Sequence, residues 1–556
     1  MKKNIIAFTV VCLSILCSCN LDFYPNDKFT DEGLKNDSSG VIYVTYGNYA
    51  SFKEVFEYGG TEMSGNTFIR HYFQMTEFIG DNVNLSGRTT DPLYEAHTLT
   101  RTADISNATY LWWVSYKIIN GVNSVIESIT EGEDSELDHI KGENYFMRAY
   151  VHLQLLNLWA KPYSQGRENP GVVLRAKTGE STTVRSTVGE VYDQIVADLI
   201  EAARLMSSSS RRGNAGYISQ LTAQGLLSRV YLYMEQNDDV ISIVEEMLGG
   251  AAASSMLEPT SSYPSYYINA LSSTETLWAV AHTASETMGG SSIASMYLTD
   301  GQGWGEMYAS DTYLNLIERY QEDDLRYSFI KPCYTESGKY FIRWAIADID
   351  SFYVNTTQEV TLDAASNKYY FVDGSETIYV ETKTVDTYDQ YYITYGGEEI
   401  DVRLEPEMKD RSGYPMYYMT KFSYQDGDAM LSSPVMLRWA EVILNRAEAY
   451  AKKGSTALAL ADVNTIRERA GLSGEQLFTS ATDHGYTDIL DIVLDERRLE
   501  LSFEGHRPYD IYRNKLSLDR RFAGVQDWEV VDYTDTRIQY LIPNDEVTVS
   551  GIEQNP

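Results

Sequence analysis

The sequence predicts a mostly α-helical fold, a scaffold of helical pairs that carries one loop-rich, partly β insertion. Three observations carry that expectation. Apolar residues recur at helical spacing through much of the first half of the 556-residue chain, and the same stripe returns from Leu437 onward. Between the two, the pattern changes to two-residue alternation broken by glycine-containing dipeptides.

The chain opens with Lys2 and Lys3, an apolar run from Ile5 to Leu16 and then small residues, which is the layout of a secretory signal. The run is too short to span a bilayer. It ends Leu16-Cys17-Ser18-Cys19, similar to the lipobox of bacterial lipoproteins, so residues 1–18 are expected to be removed and Cys19 to carry lipid. Cys12 and Cys17 leave with the signal, so Cys333 has no partner for a disulfide framework. Residues 19–40 are polar and turn-rich and read as a lipidated tether.

Residues 41–240 form the first helical region. In 110–129, Trp112, Tyr116, Ile119, Asn123 and Ile126 line one face; in 144–160, Phe146, Ala149, Leu153, Leu156 and Ala160 repeat the stripe. A second pair, 191–206 and 217–235, is joined by residues 207–213, which cannot sustain a helix. The third pair opens the last region, 437–556: Leu437, Ala440, Leu444, Ala447 and Ala451 line one helix, Gly454 ends it, and Ala457, Leu460, Ala461 and Asn464 line the next. Small residues at the crossings and a unit length of about 34 residues resemble tetratricopeptide repeats. Residues 241–436 form the loop-rich region expected to bind ligand, since loops on a rigid scaffold usually do. Within it, 368–372, 377–384 and 388–395 read as strands, with hairpin signals at Asp373-Gly374 and Gly396-Gly397.

Composition narrows the function. With 45 Lys and Arg against 80 Asp and Glu the formal charge is −35, and cleavage of Lys2 and Lys3 takes it to −37. Such a surface repels phosphate backbones, so nucleic acid is not an expected partner. It also disfavours sulfated or uronic-acid ligands unless a local Lys or Arg patch offsets it. Tyrosine is abundant, 44 against 17 phenylalanines, which suits wet, adaptable contact surfaces.

Three ordered blocks near the C-terminus carry a resemblance. The first is Leu437-Arg438-Trp439-Ala440-Glu441 through Asn445, Ala447-Glu448-Ala449, Asn464, Arg467 and Arg469-Ala470-Gly471-Leu472. The second is Glu496-Arg497-Arg498-Leu499-Glu500-Leu501 with Phe503-Glu504-Gly505-His506-Arg507, and the third Ile542-Pro543, Glu546 and Gln554-Asn555-Pro556. Weaker echoes are Met147-Arg148-Ala149-Tyr150 and Asp324-Leu325-Arg326. Together these resemble the SusD/RagB family of outer-membrane nutrient-uptake lipoproteins. The resemblance implies the SusD-like fold, with tetratricopeptide-like helices that lid a SusC-like TonB-dependent transporter. It also implies capture of oligosaccharide, or less often peptide, outside the cell, with no catalysis and no cofactor. The only membrane attachment expected is the N-terminal lipid, on the outer membrane and facing the exterior.

A sugar-capture site wants an exposed aromatic plate beside amides or carboxylates. Trp304, among Gly301, Gly303 and Gly305, is the leading candidate, with Gln302 and Tyr308 as neighbours able to hydrogen-bond a ring. Trp113 lies off the Trp112 stripe and is a second candidate plate, and Trp344 opens the β insertion as a third. Asp81 and Asn82 sit where the resemblance places a loop that helps form the site. Glu496, Glu500 and Glu504 fall on one helical face, with Gly505 and Pro508 expected to end that helix; the paired arginines favour stitching helices together over acid/base work. No pair among the seven histidines has metal-ligand spacing, and the acidic turn at 348–350 reads as solvated. The competing readings are peptide capture, a surface glycosidase, and a scaffold without ligand.

Overall fold

The computed structural model describes residues 38–59, 65–85, 87, 92–298, 302–320, 323–347, 353–385 and 388–556. The expected signal peptide, Cys19 and the acidic turn at 348–350 lie outside the described residues. The helix Ser38–Ala50 starts inside the span expected to be tether. Its Val41 packs with Val125, Ile129 and Ile140, and burial of that face holds the segment helical despite its turn-rich lead.

Ser106–Ser128, Ser135–Trp159, Val188–Leu205 and Gln220–Tyr233 pack each on the next, as the stripes require. Thr187 and Glu190 form a reciprocal capping box that starts the third of these. Arg148 ties the first three together. Its guanidinium donates to both Asp198 carboxylate oxygens at 2.6 and 2.8 Å and to the Asn123 side chain at 2.8 Å.

A further helix, Asn237–Leu248, was not expected; its buried face, Val240, Val244, Met247 and Leu248, is only three turns long and interrupted by acids. It is the joint of the molecule. It packs on Gln220–Tyr233 and on Trp439–Lys452, so the C-terminal pair Trp439–Lys452 and Thr456–Arg469 continues the helical array across a 200-residue interval. Gly225 lets Gln220–Tyr233 approach the paired strands Thr276–Ala279 and Val435–Arg438 that lead into Trp439–Lys452: a Cβ there would lie 2.9 Å from Leu277 and 3.1 Å from Leu437. Arg229 locks it with paired 2.6 Å bonds to Glu441.

The β insertion holds two antiparallel sheets. One has five strands in the order Arg403–Pro406, Tyr340–Ala347, Tyr353–Asp363, Lys368–Asp373 and Glu376–Tyr379; the other orders Glu398–Asp401, Tyr388–Tyr395 and Glu381–Val385. They enclose Ile342, Val360, Phe371, Ile378, Val380, Ile393 and Val402. The strand expected over 377–384 is two strands. Buried Val380 passes the chain from one sheet to the other, its N–H bonded to the Tyr369 carbonyl at 2.8 Å. Arg343 anchors the insertion to the helices through Asp311 at 2.7 Å.

The helix carrying Glu496 also differs from expectation. Ile489–Glu500 ends at Glu500, the backbone turns left-handed at Phe503 and Gly505, and Pro508 lies in the first turn of the next helix, Arg507–Arg513. Glu504 is therefore off that helix, yet it reaches the same partner as Glu500. Arg438, 1% exposed, donates to Glu504 at 2.9 and 3.0 Å, to Glu275 at 3.0 Å and to the Glu500 side chain and carbonyl. Arg469 bridges Glu275 and Glu500, Arg326 bridges Asp324 and Glu496, Arg467 adds to Glu496, and Lys421 adds to Glu504. Five cations face five carboxylates in this buried network, which closes electrically. The paired residues of the C-terminal blocks are thus internal glue, in keeping with the stitching role their spacing suggested.

Candidate ligand-binding cavity

Four separated segments supply most of the wall of an open cavity of about 810 Å³, which Pro92 and Ser291 complete. Thr67 caps the helix Phe68–Glu77, accepting the Arg70 N–H at 3.2 Å, and so sets Arg70 at the cavity beside Asn66. The start of Ser106–Ser128 supplies Asn107 and Tyr110, preceded by Asp104. The short C-terminal helix Asn544–Thr548 supplies Asp545, held in place by the Asn544 N–H on the Ala103 carbonyl at 3.2 Å.

The fourth segment holds Trp304. Its N–H donates to the Ser295 carbonyl at 2.6 Å, and Arg411 donates to its carbonyl. A Cβ on Gly303 would sit 2.6 Å from the Ser295 oxygen, and Gly305 has φ +61°, so neither position accepts another residue without a shift. The loop is pinned by its backbone and the indole is left 50% exposed on the cavity wall. That combination, a rigid carrier and a free ring, is what a stacking plate requires.

The polar groups around it are preset. Asn66 lies 3.0 Å from His71 Nε2, whose other nitrogen lies 3.0 Å from Gln74 Oε1; Asn107 donates to that same oxygen at 3.0 Å. Burial, helped by the charge on Arg70, lowers the His71 pKa to about 3, so the ring is neutral and serves as a strut. Burial raises Tyr110 to about 12, keeping its phenol protonated; the hydroxyl accepts the Phe56 N–H at 3.3 Å and retains its own proton to donate. Tyr58 is likewise raised, by burial and then by the charges of Asp545 and Glu546. An aromatic plate, amides, phenols and exposed carboxylates can stack on a ring and exchange hydrogen bonds with hydroxyls.

Of the expected contacts, Trp304 lines this cavity. Trp113 lines a neighbouring cavity of about 320 Å³, and its ring lies 5.2 Å from Tyr58 and 5.7 Å from Tyr110, both in the wall of the larger one. Gln302 accepts from the Tyr424 hydroxyl at 2.9 Å beside the Trp304 loop. Asp81, Asn82 and Tyr308, also expected to contact ligand, lie in the interior and line neither cavity. Asp81 is 3% exposed and bonded to Arg507 at 2.9 Å and near Arg498 at 3.4 Å; burial alone would raise its pKa, but the two guanidinium groups outweigh it and leave the carboxyl lowered. Asn82 accepts from Arg498 and donates to Glu77, while Tyr308, 1% exposed, faces Asn84 across a two-stranded ribbon. A carboxylate and amide this deep persist only because they are paired inward, which removes them from a ligand. Trp344 packs against the core between the two sheets and lines neither cavity. Sequence reasoning missed Asn66, Arg70, Asp104, Asn107 and Asp545. Asn66 and Arg70 stand on one segment, Asp104 and Asn107 on a second nearby, and Asp545 more than 400 residues further on, and no local pattern joins them.

Residues 50–232 match a SusD-like family described as starch-binding and associating with the outer membrane, and residues 274–550 match the SusD family. The SusD-like protein P2 of Formosa agariphila is 23% identical over 98% of this chain and 96% of its own. Among solved structures, a SusD superfamily protein of Bacteroides thetaiotaomicron is 23% identical with a TM-score of 0.69, over 93% of this chain and 99% of that one. A laminarin-binding SusD-like protein is 19% identical with a TM-score of 0.59, over 94% and 99%. At these identities the structural likeness establishes the fold.

Proposed function

Because the chain belongs to the SusD/RagB family, we propose that it is an outer-membrane lipoprotein, exposed on the cell surface, that captures oligosaccharides and passes them to a SusC-like TonB-dependent transporter without chemistry of its own. The observation that carries the reading is the half-exposed Trp304 indole on a pinned loop, facing amides and phenols across an 810 Å³ cavity. The carbohydrate-binding character of the laminarin-binding neighbour supports it. Each stacked ring contributes about 1 kcal/mol and each sugar hydroxyl exchanges a water bond for a protein bond at small gain, so affinity falls between micromolar and millimolar and needs several sugar units.

Trp304→Ala should abolish most glycan binding in calorimetry while leaving the melting temperature within about 2 °C, because an exposed plate carries little of the core. A large loss of stability would show a packing anchor instead. Binding to a peptide library with none to a glycan array would overturn the substrate class in favour of peptide capture.

Among the described residues no helix is long and apolar enough to cross a membrane, which fits attachment through lipid on Cys19. Cys19→Ala should therefore move the protein from the membrane to the soluble fraction, since buried acyl chains supply about 0.8 kcal/mol per methylene. Membrane retention of this variant in cells lacking the transporter would count against a lipid anchor.

A further inference from the structure

The smaller cavity has a chemistry of its own. Trp113, Tyr116 and Lys117 stand at i, i+3 and i+4 on the Ser106–Ser128 helix and so share a face; Arg175 closes the cavity from the extended segment after Val173. Lys117 Nζ lies 4.5 Å over the Phe56 ring and the Arg175 guanidinium 5.1 Å over Tyr116. Each cation rests one side on an aromatic face.

Neither is ion-paired among the described residues, whereas the interior arginines of this protein are almost all matched to carboxylates. Arg175 Nε is buried with no hydrogen-bond partner among the described residues, and its Nη2 makes one long bond, 3.4 Å, to the Thr182 carbonyl. The carboxylate in the wall, Glu546, forms an ion pair with neither cation. Two cations against one carboxylate leave a positive spot on a chain whose formal charge is −35.

We propose that this cavity is a second subsite, which takes the anionic group of an acidic sugar, carboxylate or sulfate ester, with Lys117 and Arg175 as its counter-charges and Trp113 as the ring contact. The inference rests on the reading of the protein as a glycan binder and names the class of glycan it prefers. The volume, about 320 Å³, suits a short stretch of chain, at the lower end of ligand cavities. A guanidinium with unmatched donors binds planar or tetrahedral oxyanions well, and a bare ammonium adds charge without geometric demand. A neutral sugar would leave both cations uncompensated on their cavity side.

The two cavities share a wall. Tyr58 and Tyr110 line the larger one and touch Trp113 of the smaller, while the adjacent residues Asp545 and Glu546 line one each. An oligosaccharide stacked on Trp304 thus continues past an aromatic ridge toward the cations. The acidic body works against such a ligand at long range, so the preference has to come from these two side chains.

The test is calorimetry on the mature protein in detergent at about 0.15 M salt, where screening over about 8 Å removes the distant charges. The probes are matched pairs: uronate oligosaccharides with their carboxyl-reduced twins, and sulfated oligosaccharides with their desulfated twins. We expect an acidic member to bind about tenfold more tightly than its twin. Lys117→Met with Arg175→Gln should bring that member down to the affinity of the neutral twin at an unchanged melting temperature, and Lys117→Arg should keep the preference. The uronate and sulfate arms identify which anion is taken. Equal affinities within every pair, or a preference that survives the double variant, would overturn the subsite and leave glycan capture standing. Absence of binding to every pair would overturn glycan capture, and the subsite with it.

Discussion

Lowering the pH from 7 to 5 should cost the folded protein roughly 5 kcal/mol of stability, although one buried carboxyl group offsets part of the loss. The cause is a set of histidines kept neutral in the interior. Burial, reinforced by a nearby arginine in each case, lowers His71 beside Arg70, His97 beside Arg520 and His152 beside Arg148 to about 3. His506 falls to about 4; burial dominates and Arg229 adds to it, although Glu441 pulls the other way. A base whose folded pKa is depressed stabilises the protein above its unfolded value of about 6.5 and loses that contribution as pH falls toward the folded value. At pH 5 the unfolded chain has protonated these four rings and the folded chain has not, a difference of roughly 2 kcal/mol each relative to pH 7. Glu77 opposes them. Burial raises it to about 7 despite bonds from Asn82 and the Gly505 N–H, so it regains roughly 2 kcal/mol over the same interval. Urea unfolding followed by tryptophan fluorescence at pH 7, 6 and 5 should show the midpoint falling steeply, with about three protons taken up on unfolding at pH 5. A stability that stays flat over this range would mean that the buried rings titrate inside the fold, and the interior is wetter than the packing indicates.

Helices were legible where one face is apolar for several turns, because their burial is decided locally. The stripe through Trp112, Ile119 and Ile126 and the stop at Gly454, with φ +73°, depend on residues no more than a few turns apart. The strand signals in the insertion held for the same reason, since Gly374, Gly396 and Gly397 all take the left-handed turns their dipeptides imply. What resisted reading was non-local. Helix Asn237–Leu248 has an apolar face only three turns long, and its position is set by Trp439–Lys452, some 200 residues away. Val380 looks like the middle of one strand because nothing local announces a change of sheet. In the site, Trp304 was legible because three flanking glycines deny an indole regular structure. The burial of Asp81, Asn82 and Tyr308 was not legible, because Arg498, Arg507 and Asn84 become their neighbours only on folding.

Removing the Arg438 side chain should be the most damaging single substitution in the molecule. Its donors end on Glu275, Glu500 and Glu504, from two distant parts of the chain, and each of those carboxylates is buried. Burial alone would raise their pKa values, yet Arg438 and Lys421 hold Glu504 at about 2, and Arg469, Arg438 and Arg326 lower Glu500 strongly. Arg438→Met fits the space of the aliphatic stem but leaves five carboxylates facing four cations in a medium that cannot solvate the excess. Breaking a buried pair from one side typically costs about 3–5 kcal/mol, a large share of the 5–15 kcal/mol by which domains are stable. Arg438→Lys keeps the charge and loses the fork that serves Glu504 through two nitrogens at once, so it should fall between the two. The order wild type, lysine, methionine should appear in urea midpoints at pH 7, with an unchanged slope if the variants still unfold in one step. The methionine variant should also lose less than wild type between pH 5 and 3, because the excess charge it suffers from is removed when a carboxylate protonates. A methionine variant within about 1 kcal/mol of wild type at pH 7 would show that the network is a replaceable filler, as some buried ion clusters are, and that the helices alone hold the two halves of the scaffold together.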